Sequence, residues 1–544
     1  MPTPTASLRE VEEQITAICR EILDRPDLSQ DADFFRSGGD SLAAMRLIGR
    51  LHRCYGVQLA MADLLDAPTV AGMTQLVRSI RPPQTAADVE LSATASTSTS
   101  VLPLSPDQAR RLNIEDQRSA LSQPPQGHNV AVGLVVRGEL DLAVLDRSLT
   151  TVARHHEALR VQFLKKDDGT WTQRIAAPRD VATEMMNSPA AHVGIPSLLP
   201  EVRRAALRPL ALADGLLMRS QCWQVDHHTS IVLLLFDHTV VDGVSVGILL
   251  NDLGALYGNG GKPVDTCSDN ESGHYRRYLQ EEQSWLTSDT AGAVTSYWAK
   301  ELRGNSPFWP ATLEWSRPEN VASTHSGAIH LSFADDLTGR LDEVVTGSTL
   351  TRANVMLAMT MLALARHGRE QRVGVIVPFA NREMLEADRL VADTANCVPV
   401  AVTVPACGTL RRFAGEVSRV AYRALAYQRM SASEIARRLC PPDFAGLPRR
   451  PYVLFNFMQG DATDELKPLN LSGLSVESLA IGTGIANAPL AIRIQEHQGG
   501  LDVVVTYARE MLSDDVALAV VGILTEIVEG FIACPDVRLE DLPC

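Results

Sequence analysis

The 544-residue sequence has no excess of positive charge and no closely spaced pair of cysteines. Its formal net charge is −15 at pH 7, whereas binding to nucleic acid needs a positive surface. Its nine cysteines are scattered, odd in number and without a CxxC motif, which argues against a disulfide framework and a zinc site. We therefore expect no nucleic-acid partner, no bound metal and cysteines that are mostly buried thiols.

Neither a signal peptide nor a membrane-spanning segment is predicted. The start, MPTPTASLREVEEQ, has no basic segment followed by an apolar one, and no run reaches the roughly 20 apolar residues that a membrane helix needs. The chain has 45% apolar and 21% charged residues, which is typical of a soluble globular protein. We expect a cytoplasmic, multidomain protein without membrane contact.

Residues 1–80 are predicted to form a small all-helical domain. Apolar residues recur every three or four positions from Leu8 to Leu23, which predicts an amphipathic helix. Further helices are predicted from Ser41 to Tyr55 and from Thr69 to Arg78. Residues 81–100 are rich in Pro, Ala, Ser and Thr, so we expect them to form a flexible linker.

The rest of the chain mixes strand-like and helix-like patterns. The segments SIVLLLFDHTV, RVGVIVPFA and LDVVVTYA predict strands, and LAVLDRSLTTVARHHEAL predicts a helix. Because the two kinds of segment alternate, we expect an α/β fold of two lobes.

Ser41 follows Gly38, Gly39 and Asp40 at the start of a predicted helix. Glycines permit a tight turn, and a helix N-terminus favours a phosphate attached to the serine, although simple helix capping fits the same residues. The order of helices, the FF pair before the loop and the LL…APTV ending make residues 8–78 resemble the peptidyl carrier proteins of nonribosomal peptide synthetases. This resemblance implies a four-helix bundle with 4′-phosphopantetheine attached covalently to Ser41 by a phosphopantetheinyl transferase.

A second chemical signal is FDHTVVDGVS, which places His238 at the end of a predicted buried strand. A histidine held there can relay a proton near neutral pH or donate a hydrogen bond to a developing oxyanion. A core histidine that bonds to a backbone carbonyl fits the same short pattern. The residues of this segment alone do not distinguish a functional histidine from a core histidine.

Other segments, in order along the chain, resemble landmarks of condensation domains, the chloramphenicol-acetyltransferase-like acyltransferases of peptide synthetases. They are LSPDQARRL at 104–112, HHEALRVQF at 155–163, HTVVDGVS at 238–245, SYWAKEL at 296–302, PFANR at 378–382, TANCVPV at 394–400 and RRPYVLFNF at 449–457. The resemblance implies a two-lobed α/β fold with lobes at 101–275 and 276–544, and a tunnel between the lobes in which two carrier arms meet.

The resemblance also implies roles for single residues. His238 is the residue that positions or deprotonates the acceptor amine. Asp242 is mainly structural and pairs with an arginine, for which Arg382 is the first choice and Arg160 the second, because a buried carboxylate needs such a partner.

Four further positions are assigned on the same basis. Gly243 lets the backbone pass close to the tunnel. Asp237 stands where the motif usually has its first histidine, and we expect a structural role because neighbouring strand residues point to opposite faces. Ser245 and Asn396 are candidates for lining the tunnel, and ordinary packing fits each of them equally well.

The function implied by these resemblances is nonribosomal peptide synthesis, in which an acceptor amine attacks the thioester held on Ser41 and forms an amide. No adenylation unit is recognised, so we expect a separate adenylation enzyme to load the carrier. The acceptor is expected to be a downstream carrier protein or a free small molecule, and an alcohol would give an ester instead. Epimerisation and a non-catalytic docking platform are the alternatives.

Overall fold

A computed structural model describes most of the chain. The described residues are 8–23, 25–35, 37, 41–55, 57, 59, 63–64, 67–79, 101–120, 128–186, 194–264, 273–303, 305, 313–316, 325–333, 335–345, 350–382, 389–441, 451–458, 469, 471–482, 484, 486, 488–497 and 500–542. The predicted linker at 81–100 lies outside these ranges, as do Gly38, Gly39 and Asp40.

The helices and strands of the described residues are as follows. The helices are α1 (Leu8–Leu23), α2 (Ser41–Tyr55), α3 (Val70–Ser79), α4 (Pro106–Ala120), α5 (Leu142–His155), α6 (Ile195–Ala206), α7 (Gly243–Gly258), α8 (His274–Leu286), α9 (Asp289–Leu302), α10 (Asp335–Val345), α11 (Arg352–Gly368), α12 (Leu410–Ala426), α13 (Ala432–Leu439) and α14 (Asp514–Ala533). The strands are β1 (Asn129–Arg137), β2 (Val161–Lys165), β3 (Trp171–Ile175), β4 (Glu184–Met186), β5 (Met218–Asp226), β6 (Thr229–Asp237), β7 (Ser326–Phe333), β8 (Arg372–Phe379), β9 (Asn396–Thr403), β10 (Val453–Met458), β11 (Ser475–Leu479), β12 (Leu490–His497) and β13 (Gly500–Ala508).

Helices α1, α2 and α3 form the amino-terminal unit. The first two have the predicted bounds, and α3 begins and ends one residue later than predicted. Their apolar faces meet around Ile15, Leu47 and Leu51, each fully buried. The fourth helix implied by the carrier resemblance falls largely outside the described residues and stays a prediction.

The first large sheet has the strand order β11-β1-β6-β5-β4. Strand β6 lies at its centre, and its side chains alternate between two cores. Val232 and Leu234 face the core that contains α5 and α7, and Ile231 and Leu233 face the core that contains α6. Because both faces are covered, the sequence of β6 reads as one unbroken apolar run.

The second sheet has the order β7-β13-β12-β10-β8-β9. Helix α11 is its central covering helix, and every residue from Val355 to Ala365 is buried. The first sheet takes β11 from late in the chain, where it pairs antiparallel with β1. The first core also includes Leu390 and Val391. The lobe predicted at 101–275 therefore includes segments from beyond that boundary. Strand β11 pairs with the edge of β1, and Leu390 and Val391 cover part of the first core.

Helix α14 is long and apolar enough, by length and composition, to cross a membrane. Its buried residues, which include Val520, Leu524 and Phe531, belong to the core of the second lobe. That burial is typical of a core helix in a soluble protein. The cysteines differ partly from expectation, since Cys19 and Cys222 are buried but Cys407 and Cys534 are exposed.

The helical unit packs against α12 of the second lobe. The ring of Phe35 lies 5.2 Å, centroid to centroid, from that of Tyr422. Leu425 is part of the core of the helical unit, and Phe379 packs against the same core. The contact therefore lies beside the end of β8, just before the segment that carries Arg382.

Candidate functional site

His238 follows directly after β6, where the chain leaves the first sheet. Its backbone N–H donates to the carbonyl of His128 at 2.6 Å, and this bond continues the pairing of β6 with β1. The preceding residue, Asp237, is buried, and its Oδ1 accepts from the backbone N of Thr239 at 2.9 Å. Asp237 thus stabilises the turn that carries His238, which fits the expected structural role.

Asp242 is buried and serves as the N-cap of α7. Its Oδ1 accepts from the backbone N of Ser245 at 2.7 Å, and its Oδ2 accepts from Oγ1 of Thr394 at 2.9 Å. Burial acts to raise the pKa of Asp242, but the charge of Arg382 and these hydrogen bonds outweigh it and lower the pKa. The carboxylate therefore stays ionised and ties the motif to the second lobe.

Arg382 is the arginine that contacts Asp242, with Nη2 at 2.8 Å from Oδ1. The same Nη2 lies 3.0 Å from Oγ of Ser245, and Nη1 donates to the carbonyl of Leu390 at 2.8 Å. Arg160 is placed elsewhere, where its Nη1 donates to the carbonyl of Ala176. Of the two arginines suggested by the resemblance, the structure thus brings only the first choice to the motif.

Ser245 and Asn396 hold backbone segments together. The Oγ of Ser245 donates to the carbonyl of Ala392 at 2.7 Å, and the Nδ2 of Asn396 donates to the carbonyls of Gln428 and Arg429. Both side chains are buried. These contacts support the packing role that the sequence left open for each residue.

Gly243 is the first residue of α7 and is exposed. A Cβ built at this position meets no atom within 4 Å, so the glycine borders open space at the start of α7. The neighbouring Val244 is 43% exposed. The start of α7 therefore offers an apolar surface at the site.

Arg111 and Asp393 complete the surroundings of the His238 ring. Nη2 of Arg111 lies 3.2 Å from Nδ1 of His238 and 3.2 Å from Oδ2 of Asp393. Although 39% of the His238 side chain stays exposed, burial of the ring and the charge of Arg111 lower its pKa well below the ordinary value. The ring is therefore neutral at physiological pH.

Sequence reasoning missed both of these residues. Arg111 belongs to the quoted segment LSPDQARRL, which was matched as a landmark without a role for the arginine. The same segment supplies Gln108, whose Nε2 donates to the hydroxyl of Tyr275 at 2.7 Å and to the carbonyl of Thr239 at 3.0 Å. The opening segment thus stabilises the turn that carries His238.

Ser41 is the first residue of α2, and its side chain lies outside the described part of the chain. Its backbone position at the start of the helix can still be compared with what the expected cofactor requires. Phosphate on a serine at this position would lie beside the positive end of the α2 dipole. The residues present therefore fit 4′-phosphopantetheine attached at Ser41.

Two family models match the chain. The model described as a condensation domain matches residues 98–543, and the model described as a phosphopantetheine attachment site matches residues 13–77. A linear gramicidin synthase of Brevibacillus parabrevis is 23% identical, and the match covers 99% of this chain but 7% of that protein. Bacitracin synthase 3 of Bacillus licheniformis is 23% identical, and the match covers 99% of this chain and 8% of that protein. The chain thus spans less than a tenth of the length of these two relatives.

Solved structures share the fold of the larger unit. The X-domain from teicoplanin biosynthesis superposes with a TM-score of 0.69 at 18% identity, covering 83% of this chain and 99% of that chain. The first condensation domain of the calcium-dependent antibiotic synthetase, with a substrate analogue, gives 0.64 at 17% identity, covering 82% and 100%. At these identities the likeness shows the α/β fold alone. Because the condensation model covers most of its residues, the chain belongs to the condensation-domain family of nonribosomal peptide synthetases, with a phosphopantetheine-attachment unit on its amino-terminal side.

Proposed function

We propose that the chain transfers an acyl group from a thioester on its own carrier unit to an amine, forming an amide bond at His238. One observation carries the proposal. His238 lies where the two lobes meet, on a turn fixed by the buried pair of Asp242 and Arg382, and 39% of its side chain remains exposed. A rigidly held imidazole that solvent can still reach is suited to contact a substrate.

In this proposal Ser41 holds 4′-phosphopantetheine, which supplies a flexible thiol that carries the acyl group as a thioester. The carrier unit contacts Tyr422 and Phe379, so it lies against the second lobe near the end of β8. The acceptor amine adds to the acyl carbonyl, and the thiol leaves. A thioester is already activated, so alignment and a hydrogen bond to the developing oxyanion supply much of the acceleration.

The proposal includes partners and a location. A phosphopantetheinyl transferase modifies Ser41, and an adenylation enzyme supplies the acyl group. The acceptor is an amine on a downstream carrier protein or a free small molecule. The whole reaction takes place in the cytoplasm, with residues 1–80 as carrier, 81–100 as linker and the remainder as the two catalytic lobes.

The test is intact-mass spectrometry of the full chain after treatment with a phosphopantetheinyl transferase and an acyl-coenzyme A. Loading is expected in the wild type and not in Ser41→Ala. On addition of amines, release is expected to slow by about 10²–10³-fold in His238→Ala, and to be unchanged in His227→Ala, a matched change at an exposed histidine.

Other outcomes would contradict amide formation. Release by alcohols but by no amine would show ester formation. Exchange at the α-carbon without a new bond would show epimerisation. Loading without any release that depends on His238 would show a docking platform.

A further inference from the structure

Arg111 contacts both the imidazole of His238 and the carboxyl group of Asp393. Its Nη2 lies 3.2 Å from Nδ1 of His238 and 3.2 Å from Oδ2 of Asp393, whereas Nδ1 and Oδ2 are 3.8 Å apart. The Arg111 side chain is 14% exposed and that of Asp393 is 3% exposed. One nitrogen of the arginine therefore contacts both groups, which are not in hydrogen-bond contact with each other.

The chemistry of the guanidinium fixes the direction of the hydrogen bond. Arginine has N–H donors and no acceptor, so Nδ1 of His238 must accept. A neutral imidazole carries one proton, which must then be on Nε2. At 3.8 Å, Nδ1 is too far from Asp393 for a direct hydrogen bond. Among the described residues Nε2 makes no hydrogen bond, so its proton is left for a substrate.

The other charged groups around the ring come from separate elements. Arg111 lies on α4, His128 precedes β1, Asp242 precedes α7 and Asp393 precedes β9. Burial, and after it the charges of Arg111 and His128, lower the pKa of His238, whereas a contact of the ring with its own backbone and the charge of Asp242 act to raise it. Burial raises the pKa of Asp393 to about 7, with Arg111 acting in the opposite direction.

We propose that Arg111 is a positioning residue that keeps the proton of His238 on Nε2, so that the ring donates a hydrogen bond to the reacting carbonyl instead of acting as a general base. This role rests on the proposed amide formation. If Arg111 were absent, the acidic group beside Nδ1 would be the carboxyl of Asp393, 3.8 Å away, which can share a proton with the ring. The proton would move to Nδ1, and the result would be an aspartate–histidine pair whose Nε2 is a base.

The reaction balances without a base. The amine nitrogen forms a bond to the acyl carbon, the carbon–sulfur bond breaks, and the proton lost by the amine ends on the departing sulfur. His238 donates a hydrogen bond to the carbonyl oxygen while negative charge develops there. The ring holds the same proton before and after the transfer.

The test is nitrogen NMR of the full chain labelled with ¹⁵N-histidine, with the His238 signals assigned by their loss in His238→Gln. In the wild type we expect Nδ1 without a proton and Nε2 with one, and no titration of this ring between pH 5 and 8. In Arg111→Met we expect the proton on Nδ1 and a pKa raised into that range. In Arg111→Met with Asp393→Asn, the proton should return to Nε2 because the carboxylate is gone.

Arg110→Met is the matched control, because Arg110 lies on the same helix and pairs with Asp107 at 3.0 Å. It should leave the His238 signals unchanged. A wild-type ring with its proton on Nδ1, donated to the backbone carbonyl of His238 itself, would overturn the proposal, and so would an Arg111→Met ring identical to the wild type. The wild-type spectrum decides the first point even if a variant fails to fold.

The rate of amide formation and its dependence on pH provide a second, independent test. Amide formation by Arg111→Met should fall by about ten- to a hundred-fold, the loss that is typical when the hydrogen-bond partner of a metal-bound histidine is removed, and should show an acid limb that the wild type lacks. If the wild type forms no amide, the proposed function is refuted, but the NMR result for the protonation of the His238 ring still stands. A normal rate and pH profile in Arg111→Met would overturn the positioning role alone.

Discussion

Arg382 and Asp242, 140 positions apart in the sequence, meet with Nη2 at 2.8 Å from Oδ1. Their side chains are 8% and 2% exposed, so the pair is largely removed from water. The carboxylate caps α7 and the guanidinium reaches the carbonyl of Leu390. One ion pair thus joins the histidine turn of the first lobe to the second.

Replacement of Asp242 by Asn should strand the buried charge of Arg382. We expect a loss of about 3–5 kcal/mol in the free energy of unfolding, measured by denaturant titration. The matched change Asp180→Asn breaks the exposed pair with Arg154 and should cost less than about 1 kcal/mol. Equal losses of unfolding free energy in the two variants would show that the buried pair stabilises the fold no more than the exposed pair does.

Gly243→Ala should separate activity from stability. The new Cβ meets no atom within 4 Å, and a helical glycine costs roughly 0.5–1 kcal/mol relative to alanine, so stability should not fall. The added methyl group narrows the open space at the start of α7, directly after the N-cap Asp242, and amide formation should slow several-fold. Gly292→Ala, in α9 and equally unobstructed, should leave the rate unchanged. An unchanged rate in Gly243→Ala would place the substrate elsewhere.

Tyr422→Ala should weaken delivery by the carrier without harming the chemistry. It removes the ring that contacts Phe35 at 5.2 Å, an apolar contact worth about 1–2 kcal/mol. Transfer from the acyl group on Ser41 should slow by about 5–30-fold, whereas transfer from a free acyl thioester in the same variant should not. If both rates fall equally, the tyrosine supports the lobe itself and not the docking of the carrier.

Glu282 should make stability depend on pH. Burial raises its pKa to about 7, and Arg429 acts in the opposite direction. The folded state therefore holds this proton more tightly than the unfolded state between about pH 4.5 and 7, so its contribution to stability is lost as the pH rises through that range.

Glu282→Gln removes this titration. Relative to the wild type, the variant should gain up to about 3 kcal/mol between pH 4.5 and 8, measured as the difference in unfolding free energy at each pH. Glu281→Gln, at an exposed neighbouring position, is the control. Its unfolding free energy should depend on pH in the same way as that of the wild type. A Glu282→Gln curve parallel to the wild type would contradict the raised pKa.

Elements whose cause is local can be predicted from the amino-acid sequence alone. The bounds of α1 and α2 follow from apolar spacing, and the unbroken run of β6 reports a strand covered on both faces. The position of His238 at the end of that strand follows from the same run. Such patterns are visible because each residue is judged against neighbours a few positions away.

The residues that meet at the site lie far apart in the sequence, and only the folded chain shows which of them are in contact. Arg111 reaches His238 across 127 positions and Asp393 across 282, and β11 joins a sheet whose other strands lie far earlier in the chain. Arg382 was named from the family resemblance, whereas Arg111 was included only as part of the segment LSPDQARRL, without a role. Hydrogen bonds of this kind depend on how the lobes pack, and no local spacing encodes that packing.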